Sequence, residues 1–336
     1  MMERLGTVVV GLGSIGYWYD HGVDKKDYKD QLIARTHARA IHLSERFYLV
    51  GGIDLSLKAR TAFTAAYSRS TWSNLDELMA DDKSQSVKCI VFAVGAKAQV
   101  EMLESYIREL KPKLVLLEKP IADTISDLER VRRIEKSYPE TMIAVNYPRV
   151  YLDALRRVKG IIGSGQLGFC IHGSVFYGKG LVRNGTHFIN LLEYLLGELV
   201  MVGLPSGLRE KECWDAEADF RVAAVEHKKA SINFTSLGKS GFHVGEVDLW
   251  FENGRITWRN QSSYIELWKT SLKDDGWNYL SDKVEKFDVE QDCYQYRVWE
   301  VLGDALETYG VDNRHCSIEA ACRAALLAMK VRDTLK

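Results

Sequence analysis

Along the first 146 residues, short apolar runs alternate with segments whose apolar positions recur every three or four residues, the rhythm of successive strand–helix–strand units. The runs Thr7–Val10, Tyr48–Ile53, Cys89–Val94, Lys113–Leu117 and Met142–Val145 are continuous rather than alternating, as expected of parallel strands buried on both faces. Between them, Ser56–Tyr67, Ala98–Leu110 and Ser126–Ser137 have helical spacing, several opened by a Ser or Thr suited to an N-cap. This pattern predicts an α/β fold with a doubly wound parallel sheet over residues 1–146. Beyond Asn146-Tyr147-Pro148-Arg149, an amphipathic helix runs through Ile162, and longer alternating strands rich in aromatics follow, which marks a second domain over 147–336. Its clearest local signal is Val247–Trp258, two strand-like runs joined by Asn253-Gly254, the pair that favours a type I′ hairpin turn. Asp292–Tyr309 and Ser317–Leu335 read as two closing helices, the last a candidate to pack back on the first domain.

Composition narrows the function classes. With 336 residues and 46% apolar content the chain can bury a substantial core and suits two domains. A net charge of −1 and a pI near 6.7 supply no basic field for nucleic acid or anionic membranes. No run approaches a membrane span, and a first strand starting close to Met1 leaves no room for a signal peptide, so a cytoplasmic location is expected. The six cysteines, Cys89, Cys170, Cys213, Cys293, Cys316 and Cys322, form no CxxC pair and fit reduced thiols rather than a disulfide framework or zinc site. No HExxH or similar metal spacing occurs among the eight histidines.

The chemistry begins in Gly11-Leu12-Gly13-Ser14-Ile15-Gly16, directly after the Thr7–Val10 run. In such a GxGxxG loop the first glycine permits the tight turn, the second lets backbone approach a pyrophosphate and the third allows close helix packing, with the helix N-terminus receiving the charge. Gly11, Gly13, Ser14, Ile15 and Gly16 are therefore candidate dinucleotide contacts. Asp54, ending the second strand, can accept both ribose hydroxyls and would repel a 2′-phosphate. NAD is favoured on this ground, and Lys58 and Arg60 nearby leave NADP open. Asp54 lies 38 residues after Gly16 instead of about 20. The polar stretch Tyr17–Arg35 is thus an insertion, readable either as a lid or as a tolerated surface loop, before Thr36-His37-Ala38 resumes a helix.

The run Lys113–Leu117 leads into Glu118-Lys119-Pro120, so a buried strand delivers a lysine at its carboxyl end, where open parallel sheets hold ligand chemistry. With the glycine loop, His37-Ala38, Asn146-Tyr147-Pro148-Arg149 and Gly185-Thr186-His187-Phe188-Ile189-Asn190, the chain resembles the Gfo/Idh/MocA oxidoreductases, the family of glucose-fructose oxidoreductase and inositol dehydrogenase. The resemblance implies a Rossmann domain and a C-terminal α/β domain with a large, mostly antiparallel open sheet, whose outer face usually makes a homodimer or homotetramer contact. Trp250, Trp258 and Trp268 suit that face, and suit a core equally. It further implies that Lys119 polarises or deprotonates the reacting hydroxyl, that His187 exchanges the alcohol proton, and that Glu118, Pro120, Val94 and Asn146 contact the cofactor.

Two departures stand out. The family pattern has an aspartate four residues before the histidine and another three after it, where this chain has Arg183 and Asn190. Arg183 could bind a substrate carboxylate or phosphate, Asn184 and Asn190 could hydrogen-bond sugar hydroxyls, and Tyr147 and Arg149 complete the substrate-binding candidates. After the fourth strand, Phe92-Ala93-Val94-Gly95-Ala96-Lys97 replaces the usual Thr-Pro step and histidine. The resulting expectation is an NAD-dependent oxidoreductase acting on a secondary hydroxyl or ketone of a sugar, sugar acid or nucleotide sugar, with surface-polysaccharide or modified-sugar synthesis as its setting and no metal. The competing reading is a cofactor-binding regulator of the same fold. A glycosidase with tightly held NAD lacks an identifiable acid pair.

Overall fold

The computed structural model describes residues 4–21, 33–211, 215–238, 244–259, 263–274, 276–290, 292–308 and 316–335. The chain divides into two compact units, Met1–Tyr151 with Gln291–Ala321, and Leu152–Glu290 with Cys322–Lys336.

The first unit holds β1 (Leu5–Val10), α1 (His37–Leu43), β2 (Phe47–Ile53), α2 (Leu57–Tyr67), β3 (Ser70–Trp72), α3 (Leu75–Met79), β4 (Val87–Phe92), α4 (Ala96–Leu110), β5 (Leu114–Leu117), α5 (Ile125–Ser137) and β6 (Met142–Val145). The strands form one six-stranded parallel sheet in the order β3-β2-β1-β4-β5-β6, the doubly wound arrangement expected from the alternating pattern. Val8, Val9, Ile90, Val91 and all four β5 residues are fully buried, which is why their sequences read as unbroken apolar runs. Ser56 caps α2 through its hydroxyl, as its position at the start of the helical run suggests, whereas α5 is capped by Thr124, two residues before the Ser126 that opens the helical spacing. The three-residue edge strand β3 and five-residue α3 escape a periodicity argument because each spans fewer than two full repeats of its type, too few to establish a period.

No regular α-helix follows the glycine loop directly; a tight turn leads into a short 3-10 segment, Trp18–Asp20. The helical ladder continues across the insertion instead, since His37 N–H donates to the Ile15 carbonyl at 3.0 Å and Ala38 N–H to that of Gly16 at 3.1 Å. One Rossmann helix is therefore split in two. Asp20 closes the base of the excursion, accepting from the backbone N–H and hydroxyl of Thr36 at 2.8 and 2.6 Å. Residues 22–32 of the predicted insertion, and Cys213, lie outside the described residues.

The second unit contains α6 (Asp153–Gly163), β7 (Cys170–Tyr177), α7 (Thr186–Leu196), β8 (Leu199–Met201), β9 (Ser206–Lys211), β10 (Ala216–Ala224), β11 (Ala230–Ser236), β12 (Gly245–Phe251), β13 (Gly254–Trp258), β14 (Tyr264–Leu272) and β15 (Asn278–Asp288). Its sheet runs β15-β14-β13-β12-β7-β11-β10-β8, with β9 paired on β10, and is antiparallel except where β7 and β11 run together. Alternate residues such as Val175, Tyr177, Phe234, Leu249, Ile256 and Leu267 are buried on one face. Trp258 belongs to that core, whereas Trp250 and Trp268 lie on the other face with the Arg255 guanidinium between them, 4.3 and 5.6 Å from the rings. The Val247–Trp258 hairpin forms, but its loop is Glu252-Asn253, because Phe251 pairs with Gly254. Neither loop residue has positive φ, so the turn is not type I′. Gly254 is required for another reason, since a Cβ there would lie 2.5 Å from the Trp268 carbonyl oxygen of β14.

Two helices complete the chain. Helix α8 (Tyr294–Glu307) lies in the first unit, and α9 (Ile318–Thr334) begins there and continues into the second. The Cys316–Ser317 step covers the free edge of β6, with Val145 N–H donating to the Cys316 carbonyl at 2.9 Å. None of the helices among the described residues is long and apolar enough to cross a membrane.

Candidate active site

The dinucleotide cradle lies at the carboxyl ends of β1 and β4, where the strand order reverses. Gly11 has φ of +94°, and a Cβ there would come within 2.5 Å of the Ala93 carbonyl oxygen and 2.6 Å of Val94 Cγ1, so the turn requires glycine and places Val94 beside it. A Cβ on Gly16 would lie 2.0 Å from the Gly11 carbonyl oxygen, the close approach expected of the third glycine. Around Gly13 an added Cβ meets nothing within 4 Å, so backbone there faces space that a pyrophosphate can occupy. Asp54 is at the loop's rim, where Oδ2 accepts from Leu12 N–H and Oδ1 from Ser56 N–H, both at 2.7 Å. Each oxygen keeps a second acceptor direction for ribose hydroxyls. Arg60 turns its guanidinium onto the carbonyls of Asp54 and Leu55, at 2.6 and 3.1 Å. These residues fit a nicotinamide dinucleotide.

Lys119 is half-buried at the end of β5, adjoining β4 in the sheet. The peptide joining it to Pro120 is cis. Its turn is held by a buried polar network. Glu118 Oε1 accepts from Asn146 Nδ2 at 2.6 Å and faces His37 Nε2 at 3.0 Å, and Oε2 accepts from Lys119 N–H at 3.2 Å. Asn146 Nδ2 also donates to Gln295 Oε1 at 3.2 Å, and Trp299 Nε1–H donates to His37 Nδ1 at 3.3 Å. From α4, Gln99 Nε2 reaches the carbonyls of Glu118, Pro120 and Ile121 at 2.9, 3.0 and 3.1 Å. Gln99, Gln295 and Trp299 are the members that sequence reasoning does not supply. Gln99 carries a usable signal, because it occupies the same helical stripe as the buried Leu103 and Tyr106, where a polar residue needs a reason. Tyr147 and Arg149 are buried in the same unit, and burial pushes the Arg149 guanidinium down to about 10, with Tyr294 opposing.

In the second unit, a single π-helical turn, Leu181–Gly185, leads into α7 and its His187. Such turns recur at functional sites. The turn is held by carboxylates from β10 and the residue before it. Asp215 Oδ1 accepts from Val182 N–H at 2.7 Å and Oδ2 from Arg183 N–H at 3.2 Å, while Glu217 Oε1 accepts from Gly180 N–H at 2.5 Å and Oε2 from the Ser236 hydroxyl. Burial raises the Asp215 carboxyl above its ordinary range, against the pull of these N–H donors. Arg183 is exposed, His187 half-buried and Asn190 buried. Asn184 is also buried and its Nδ2 donates to the Gly178 carbonyl at 2.9 Å, so this amide supports the loop. Three residues beyond Asn190, Glu193 is buried and its carboxyl pushed up to about 7, with Arg323 Nε at 3.5 Å opposing the shift. No His, Cys, Asp and Glu cluster suited to a metal occurs among the described residues.

Comparison with curated protein sequences gives no match. Solved structures give the fold. A protein of Desulfitobacterium hafniense assigned as an NADPH-dependent oxidoreductase has a TM-score of 0.78 at 15% identity, covering 99% of this chain and 96% of its own. KijD10, a 3-ketoreductase of Actinomadura kijaniata in complex with NADP and TDP-benzene, has 0.75 at 14% identity, covering 99% and 98%. An oxidoreductase of Agrobacterium radiobacter in complex with NAD+, L-tartaric acid and magnesium has 0.72 at 12% identity, with the same coverage. Residues 31–147 match the model of the oxidoreductase family with an NAD-binding Rossmann fold, a match that begins after the glycine loop, within the insertion that precedes α1. This match gives residues 31–147 the NAD-binding Rossmann fold of the Gfo/Idh/MocA oxidoreductase family.

Proposed function

We propose that the protein transfers hydride between a nicotinamide dinucleotide and a secondary hydroxyl or ketone of a sugar, sugar acid or nucleotide sugar. The observation that carries this reading is Lys119, set at the end of β5 on a turn braced by a buried carboxylate, in the same sheet as a glycine cradle with open space over Gly13. NAD(P), when bound, supplies or accepts the hydride. The chain's own groups bind and move protons. Gly11, Gly13, Ser14, Ile15 and Gly16 cradle the pyrophosphate, Asp54 takes ribose hydroxyls, and Val94, Glu118, Pro120 and Asn146 border the nicotinamide. The Lys119 amine polarises the reacting oxygen and takes or returns its proton, and His187 exchanges that proton as a second acid–base group. Arg183 meets an anionic substituent of the substrate, joined by Asn184, Asn190, Tyr147 and Arg149 as further substrate contacts. Domain limits near 146, a homodimer or homotetramer and a cytoplasmic setting complete the proposal.

The substrate class draws support from KijD10, a 3-ketoreductase whose complex contains TDP-benzene, and from the L-tartaric acid complex of the Agrobacterium protein. The test is absorbance of reduced nicotinamide on mixing the protein with each dinucleotide and neutral sugars, sugar acids or nucleotide sugars. Turnover on any of these three classes supports the proposal and names the substrate class. Tight dinucleotide binding with no turnover on any of them would favour a regulator, the reading that Arg183 and Asn190 in place of acids also suits.

A further inference from the structure

We propose that His37 is a positioning residue that sets the register between the dinucleotide loop and Lys119, and that Trp299 selects the imidazole tautomer that allows it. This rests on the reading of Lys119 given above. Two bonds on one residue carry the argument. The backbone N–H of His37 donates to the Ile15 carbonyl at 3.0 Å, inside the glycine loop, while its side chain reaches Glu118 Oε1 at 3.0 Å, next to Lys119.

The tautomer follows from donor chemistry. An indole nitrogen can only donate. Trp299 Nε1–H points at His37 Nδ1, so Nδ1 is the bare nitrogen and the proton sits on Nε2, directed at Glu118 Oε1. His37 and Trp299 are both fully buried, so water does not substitute for either partner. Phe47 packs edge-on against the indole, centroids 4.9 Å apart, and fixes its plane. Glu118 Oε1 then receives two donors, from His37 and Asn146, and Oε2 receives the Lys119 backbone N–H, which aims the whole carboxylate. With Gln99 holding the carbonyls on either side, the lysine peptide has little freedom to rotate. The opposite tautomer would put two N–H groups face to face at Trp299 and two acceptors face to face at Glu118, and the turn would shift relative to the loop.

The experiment pairs side-chain nitrogen NMR of the histidine-labelled protein with kinetics of three variants. The His37 signals, assigned by their loss in His37→Gln, should show a protonated Nε2 and a bare Nδ1. Trp299→Phe removes the indole donor and should mix the tautomers. A misplacement of about 1 Å can cost about 100-fold in rate, so Trp299→Phe and His37→Leu should lower kcat roughly 10- to 100-fold while leaving the dinucleotide Kd close to wild type. His37→Gln, whose amide can still donate to Glu118, should recover most of that loss. The unchanged Kd shows that each variant is folded. A wild-type imidazole protonated on Nδ1, or undiminished kcat in His37→Leu, overturns the proposal. Wild-type protein that turns over nothing would instead defeat the oxidoreductase reading, with the tautomer signal still deciding whether the Trp299 lock exists.

Discussion

Lys119 and His187, the two proposed acid–base groups, are mounted in opposite ways. The lysine turn is braced by side chains gathered around one carboxylate, Glu118, which is its sequence neighbour. The start of the histidine helix is held through its backbone, by carboxylates from a strand region about thirty residues downstream, Asp215 and Glu217. The first arrangement leaves a recognisable motif because the brace and the braced residue adjoin. The second leaves none, and a search for acids within one helical turn of His187 finds Arg183 and Asn190 instead. Loss of a local acid therefore does not mean that the region lacks acids; here they hold the loop rather than the imidazole.

This contrast can be broken or sharpened by measurement. Lys119→Ala should cost on the order of 100- to 10,000-fold in kcat, the range for a positioned proton-transfer group, with dinucleotide binding retained. His187→Ala should cost less, since no carboxylate stands at the family's usual positions beside it. Equal losses in steady-state kinetics would remove the asymmetry. Next, Asp215→Ala strands the buried N–H groups of Val182 and Ala216 at roughly 1–3 kcal/mol each and frees the part-buried one of Arg183, and the thermal midpoint should fall clearly. Asp215→Asn keeps an acceptor and should fall less.

Glu193 gives a pH signature of intermediate size. Its folded carboxyl, pushed up to about 7 by burial, binds a proton more tightly than the same group in the unfolded chain. Because the folded state holds more protons between the two values, stability from this group falls as pH rises from the ordinary glutamate range through about 7, then levels off, a loss on the order of 3 kcal/mol. Glu193→Gln should flatten that slope in denaturant titrations at pH 5 and pH 8; an unchanged slope would assign it elsewhere. The smallest expected effect is at Arg183, which is exposed. Arg183→Ala should raise KM about tenfold for anionic substrates, the value of one charge-assisted contact, and leave neutral ones nearly unchanged. Equal effects on both would end its role as an anion contact.

How much of this was legible in the sequence depends on how local each signal is. The parallel strands, the glycine loop, Asp54 and the Glu118-Lys119-Pro120 step are short contiguous patterns, and the sheet order places them where the pattern predicts. The split helix was also readable, because Thr36-His37-Ala38 resumes where Gly16 stops. The network around Glu118 was not, since His37, Asn146 and Trp299 come from distant segments and only the folded sheet collects them. The Val247–Trp258 hairpin was readable as a hairpin but not in its turn, because Gly254 answers to crowding by β14 rather than to a demand for positive φ. Trp250, Trp258 and Trp268 could be sorted into face and core only once register was known.

The most direct test of the central claim is a single-turnover mix of wild-type protein and reduced dinucleotide with keto forms of nucleotide sugars and sugar acids, followed by nicotinamide absorbance. The account predicts loss of reduced nicotinamide in step with formation of a secondary alcohol on at least one of them. Saturated dinucleotide that stays reduced across the whole panel would contradict it.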